Sequence, residues 1–104
     1  MNAYLPNDER LARYARALGH PARVSILRFL AERDACFAGD IAGVLPIAAS
    51  TVSQHLATLR DAGLITGEIN PPTIKYCIHR EAWSEARELL RDFFAADLKN
   101  QADC

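Results

Sequence analysis

Five short hydrogen-bonding side chains crowd one stretch of the chain: Ser50, Thr51, Ser53, Gln54 and Thr58. Wound as a helix at about 100° per residue, that stretch gathers Val52, Leu56 and Leu59 into a narrow arc, with Ala48 and Ala49 beside them. The arc can pack on a core, and the opposite face can donate and accept. Hydroxyls and an amide suit base edges and phosphate oxygens, whereas a solvated outer face usually carries Glu and Lys. Taken alone, the stretch also fits an ordinary amphipathic helix with a Ser/Thr-rich exposed side. His55 falls at the edge of the apolar arc, and Gly63 closes the segment.

The other chemically capable residues are thinner. Cys36, Cys77 and Cys104 are odd in number, far apart and without a C-x-x-C pair, so they form neither a disulfide framework nor a closed zinc site. Cys77 and His79 share a strand face, but two ligands make a weak site. A soft metalloid or thiophilic metal takes two or three thiolates, and these cysteines supply that only if folding or dimerisation gathers them. Oxidation of Cys36 toward another cysteine is the redox alternative, and incidental thiols are the plain one. No Ser/His/Asp or Cys/His pair sits where a cleft is implied, so nothing points to an enzyme.

The chain that must position these residues has 104 of them, half hydrophobic and 24% charged, which predicts one domain over 1–104 with its own core. Its apolar runs fall far short of the roughly 20 residues that span a bilayer, and its start lacks a basic-then-apolar leader. A cytoplasmic protein with no membrane partner is expected. A net charge of −1 argues against a protein that simply coats nucleic acid. It leaves room for a sequence-specific binder because the charge is uneven. Arg10, Arg13, Arg16, His20, Arg23, Arg28 and Arg33 make the first third basic, while Glu81, Glu85, Glu88, Asp92, Asp97 and Asp103 weight the end acidic.

The spacing predicts a first helix over 8–18, with Asn7 as N-cap and Gly19 just past its end. A second, central helix opens at Pro21 in the tolerated first position. A short third helix over 39–45 is stopped by Pro46, and a brief turn leads into the helix over 49–62. After Gly63 the period turns strand-like: 64–69 and 73–78 flank Asn70-Pro71-Pro72, a hairpin with a stiff tip. The last helix is predicted over 80–98, with Trp83, Ala86, Leu90, Phe93, Phe94 and Leu98 at helical spacing. That much apolar surface late in a small chain suggests a face covered by a second copy, against the alternative of a helix folded back on its own domain. The sum is a mainly α (α+β) fold, a winged helix-turn-helix of order α-α-α-α-β-β-α, with a last helix whose apolar face suggests a second copy.

Three segments together, Leu18-Gly19-His20-Pro21-Ala22-Arg23, Ser50-Thr51-Val52-Ser53-Gln54-His55-Leu56 and Leu59-Arg60-Asp61-Ala62-Gly63-Leu64-Ile65, resemble the ArsR/SmtB family of dimeric winged-helix repressors. The resemblance spans nearly the whole chain. It implies a homodimer, through residues such as Leu11, Tyr14, Leu90, Phe93 and Phe94, on an inverted-repeat operator in double-stranded DNA. It makes 49–62 the recognition helix, with Ser50, Thr51, Ser53 and Gln54 toward the groove. Gln54 suits a bidentate contact to adenine, and Ser50, Thr51 and Ser53 suit phosphates. His55 is a flanking or phosphate-contacting histidine. Lys75 on the wing either meets the minor-groove backbone, with Arg80 assisting, or is a solvated strand residue. The family's effectors, often metals or metalloids, release the DNA, but here the last helix has no histidine and Cys36 has Ala38 two residues on, so the family's ligand sets are broken. A rival function is a winged-helix module that binds protein rather than DNA.

Overall fold

A computed structural model describes residues 3–34 and 36–102, apart from the side chains of Cys36 and Asn70. The first helix, α1 (Asp8–Ala17), starts at the expected residue, with Asn7 as its N-cap. Asn7 holds the N-cap position at φ 76, a left-handed turn that asparagine tolerates, and its side chain caps nothing. The entry is secured by Asp8, whose Oδ2 accepts the Leu5 N–H at 2.8 Å. At the far end, unlike Asn7, Gly19 is not left-handed. A Cβ there would stand 3.1 Å from the Arg16 carbonyl oxygen, so this glycine serves a close approach.

The second helix, α2 (Pro21–Ala31), carries its proline at the first turn as predicted. His20 is its N-cap, with Nδ1 accepting the Ala22 N–H at 3.0 Å. A strand of two residues, β1 (Cys36–Phe37), follows and was not foreseen. It leads into α3 (Ala38–Ala42), shorter than the predicted 39–45 because the chain leaves the helix at Gly43. The Asp40 carboxylate holds the entry by accepting the Phe37 N–H at 3.3 Å.

The helix α4 (Ala49–Asp61) ends in a tight C-terminal motif. Gly63 takes φ +87, its N–H donates to Arg60, and the Leu64 N–H reaches back to Leu59 at 3.1 Å. Glycine takes that conformation without the Cβ clash other residues meet, so the stop read from Gly63 has its physical cause here. The hairpin of β2 (Ile65–Asn70) and β3 (Thr73–Ile78) pairs antiparallel from Ile65 opposite Ile78 to Asn70 opposite Thr73. β1 adds to the other edge of β3, giving the order β1-β3-β2.

The last helix, α5 (Arg80–Phe94), is capped by His79, whose Nδ1 accepts the Ala82 N–H at 3.0 Å. It stops four residues before the predicted end. Leu98 is 84% exposed, with no underlying surface to hold another turn. The core sits where α2, α3, α4 and the sheet meet, filled by Ile26, Leu30, Ile41, Val52, Leu56 and Leu59. Tyr14, expected on the face shared with a second copy, lies instead inside the subunit. It is 4% exposed and donates its phenol to Glu85 Oε1 at 2.7 Å, while Arg10 holds the other carboxylate oxygen at 3.0 Å. Burial, and then the Glu85 contact, raise the pKa of that phenol.

Candidate nucleic-acid interface

Burying Val52, Leu56 and Leu59 turns the rest of α4 outward. Ser50, Ser53, Gln54 and Thr58 are placed on that side, with Ser50, Ser53 and Gln54 exposed and Thr51 half-buried at its edge. Among the described residues no hydrogen bond engages the side chains of Ser50, Thr51, Ser53 or Gln54, so their donors and acceptors face solvent unspent. Thr58 differs: its hydroxyl donates to the Gln54 carbonyl at 3.2 Å, one turn back. The start of α4 carries no side-chain cap, because Ala48 has no acceptor to offer. The Ala48 carbonyl accepts from Thr51 and Val52, and the N–H groups of Ala49 and Ser50 precede the helical ladder. Unsatisfied amides at a helix start form an anion-binding end.

His55 points from α4 toward the junction of α1 and α2. Its Nδ1 lies 3.2 Å from Arg23 Nη1, and its ring centroid 4.5 Å from that of His20. Arg23 also donates to the carbonyls of Ala17 at 2.7 Å and Arg16 at 3.2 Å, closing the end of α1. Burial first, then the neighbouring His20 and Arg23, lower the pKa of His55. One arginine thus ties three helices together at the flank of the outward face.

The wing places its cation less simply than expected. Lys75 is half-buried on β3, the central strand, opposite Glu68 on β2 and Phe37 on β1. It is therefore away from the tip, where Pro71, Pro72 and Ile69 are exposed, Ile69 at 77%. Arg80 is the first residue of α5 and exposed. Basic residues that the sequence left without a role stand closer to α4: Arg13 and Arg16 of α1 border a shallow cleft with Thr58 and Asp61. Their placement follows from the end of α1 coming beside the end of α4, where Ala17 and Ala62 line the same cleft, a juxtaposition that no local pattern announces.

Of the cysteines, Cys77 is free and half-buried on β3. The backbone of Cys36 pairs opposite Tyr76, while the Cys36 side chain and Cys104 lie outside the described residues. His79 spends its Nδ1 on the α5 cap, which removes that nitrogen from the pair it was to make with Cys77. Among the described residues no group of three or more His, Cys, Asp or Glu side chains gathers as metal ligands.

A family model for a helix-turn-helix domain matches residues 18–68. The HTH-type transcriptional regulator YgaV of Escherichia coli (strain K12) is 38% identical over 74 residues, which is 71% of this chain and 75% of that protein. The solved structure of an ArsR-like transcriptional regulator from Rhodococcus sp. RHA1 matches with a TM-score of 0.74 over 88% of this chain and 85% of its own, at 24% identity, which shows a shared fold. The transcriptional repressor BigR from Xylella fastidiosa matches with a TM-score of 0.65 and 25% identity, over 88% and 92%.

Proposed function

The chain belongs to the helix-turn-helix transcriptional regulators of ArsR/SmtB type, and we propose that it represses transcription by binding an inverted-repeat operator as a homodimer in the cytoplasm. The observation that carries this reading is the unspent face of α4, with Ser50, Ser53 and Gln54 exposed and free of internal hydrogen bonds. In the major groove the Gln54 amide pairs bidentately with an adenine. Ser50, Thr51 and Ser53, with the free amides at the helix start, hold phosphates and set the register. His55 positions α4 through Arg23 from the flank, and Lys75 meets the backbone from the outer face of the wing. Repression then follows from occupancy, since a dimer seated across a promoter excludes other proteins. The likeness to BigR, a repressor, supports that sign of control.

Release by a thiophilic metal or metalloid would take two or three thiolates, for which Cys36, Cys77 and Cys104 are the candidates. Release by a thiol oxidant would act through the same Cys36, Cys77 and Cys104.

One observation favours the rival, a module that binds protein: the wing's cation sits across from an acid, Glu68. Salt separates the two. Each phosphate neutralised on duplex DNA steepens the fall of log affinity with log salt by about 0.9. The expected result is a steep slope for wild type on operator DNA. Gln54→Ala should cost about 1–3 kcal/mol on operator and leave nonspecific binding nearly unchanged. A flat salt response would decide for the protein-binding module.

A further inference from the structure

A cleft of about 250 Å³ lies between the end of α2 and the start of α5, and no residue of α4 lines it. Its walls include Leu30, fully buried, with Ile78 and Trp83 half-buried. Its edge is cationic, formed by Arg33, Arg80 and Arg87 against a single carboxylate, Asp34. Arg80, Ser84 and Arg87 follow one another at i, i+4 and i+7, so α5 presents all three on one face. Among the described residues neither Arg80 nor Arg87 has an ion-pair partner.

Arg33, on the facing wall, is already held in place. Its guanidinium carbon stands 3.7 Å from the centre of the Phe29 ring, and Nη1 donates to the Phe29 carbonyl at 3.2 Å. A side chain so pinned has less freedom left to lose when a ligand arrives. Arg33 also has the Glu32 carboxylate at 4.0 Å, which leaves Arg80 and Arg87 as the two guanidinium groups free to take an anion. Their planar forks suit a carboxylate, which each can hold through two parallel hydrogen bonds. An inorganic anion would use only the edge and leave the half-buried Trp83 and Ile78 facing water. A flat apolar body attached to the anion covers them. The volume is just below the usual small-molecule range of about 300–1,000 Å³, which limits that body to about one ring.

We propose that this cleft binds a small aromatic carboxylate, with its carboxylate between Arg80 and Arg87 and its ring against Trp83. The proposal does not depend on the DNA-binding reading. Trp83 is the chain's single tryptophan, so its emission reports on the cleft directly. The test titrates the full chain with benzoate, and with acetate, inorganic phosphate and benzylamine for comparison. Benzoate should change the emission saturably with a Kd of about 1 mM or tighter. Acetate and phosphate should bind about tenfold more weakly, and benzylamine should have no effect. The double variant Arg80→Gln/Arg87→Gln should weaken benzoate at least about tenfold. Arg28→Gln, which removes an exposed arginine outside the cleft, should bind benzoate as wild type does; circular dichroism checks that every variant is folded. No saturable benzoate response up to ~20 mM, phosphate binding as tightly as benzoate, or unchanged affinity in a folded double variant each overturns the proposal.

Discussion

His55 leaves the middle of α4 and meets Arg23 at 3.2 Å through Nδ1. A guanidinium has no lone pair, so the ring nitrogen is the acceptor, and the neutral imidazole carries its proton on Nε2. Protonating Nδ1 would set two donors face to face, with His20 packed 4.5 Å away. Burial and these two neighbours therefore hold the folded-state pKa below the ordinary value. As pH falls through about 6.5 the unfolded chain takes up a proton that the folded chain resists, so acid favours unfolding. The stability is complete above that range, declines as pH falls toward the folded pKa, and levels off below it. The urea midpoint of wild type should drop between pH 7.5 and 5.5, and His55→Gln should lose much of that dependence. A wild-type midpoint that rises on acidification would contradict the contact with Arg23. At this scale the sequence was partly legible. The angle of His55 put it at the flank, and helical period put Gln54 on the outward face. Arg23 stands 32 positions from His55, and no local pattern pairs them.

Between residue and fold, α1 supplies an edge to α4 that the wing supplies only weakly. Arg13 and Arg16 border the cleft beside Thr58 and Asp61, at the C-terminal half of the outward face. In the proposed complex, with α4 in a major groove, that edge would meet phosphates. Replacing both with glutamine should weaken operator and nonspecific DNA alike. It should also flatten the plot of log affinity against log salt by about 1–2, since each lost phosphate contact removes about 0.9. An unchanged slope would place these arginines away from DNA. Elements set by strong local chemistry were legible in the chain: Pro21 opened α2, Gly63 closed α4 and the prolines marked the hairpin tip. Others were not, for identifiable reasons. β1 is two residues long and exists only through pairing with β3, so it carries no period of its own. His20 and His79 cap helices with ring nitrogens, a role usually filled by Ser, Thr, Asp or Asn. Leu98 keeps helical spacing, but spacing without a surface beneath it does not extend a helix.

At the scale of the molecule, the chain is more elongated than a compact domain of its length. It measures 55 × 30 × 26 Å, and its radius of gyration of 16.4 Å exceeds the roughly 13 Å of a compact 100-residue domain. Along α1 and α5 it leaves an apolar strip open. Leu11, Ala12, Ala15, Leu90, Phe93 and Phe94 line one shallow groove, with Phe93 60% and Phe94 75% exposed. Phe93 and Phe94 stack edge to face at 5.1 Å, so the strip offers a firm knob beside a groove. A two-fold axis sets the same patch against itself, which lets the knob of one copy fill the groove of the other. The Tyr14–Glu85 hydrogen bond ties α1 to α5, so the two helices that carry the strip are already joined within one copy. Pairing would also place two α4 helices on one side of DNA, about 34 Å or a multiple apart, and make operator affinity depend on both half-sites. In the proposed dimer, burying four phenylalanines, at about 1.5–3 kcal/mol each, would make this strip the chief driving force for association. The double variant Phe93→Ser/Phe94→Ser should therefore sediment as a monomer at concentrations where wild type sediments as a dimer. It should keep its helical circular dichroism, since both rings lie outside the core, and fall to the affinity of a single half-site on the full operator. A folded variant that stays dimeric would move the interface off α1 and α5.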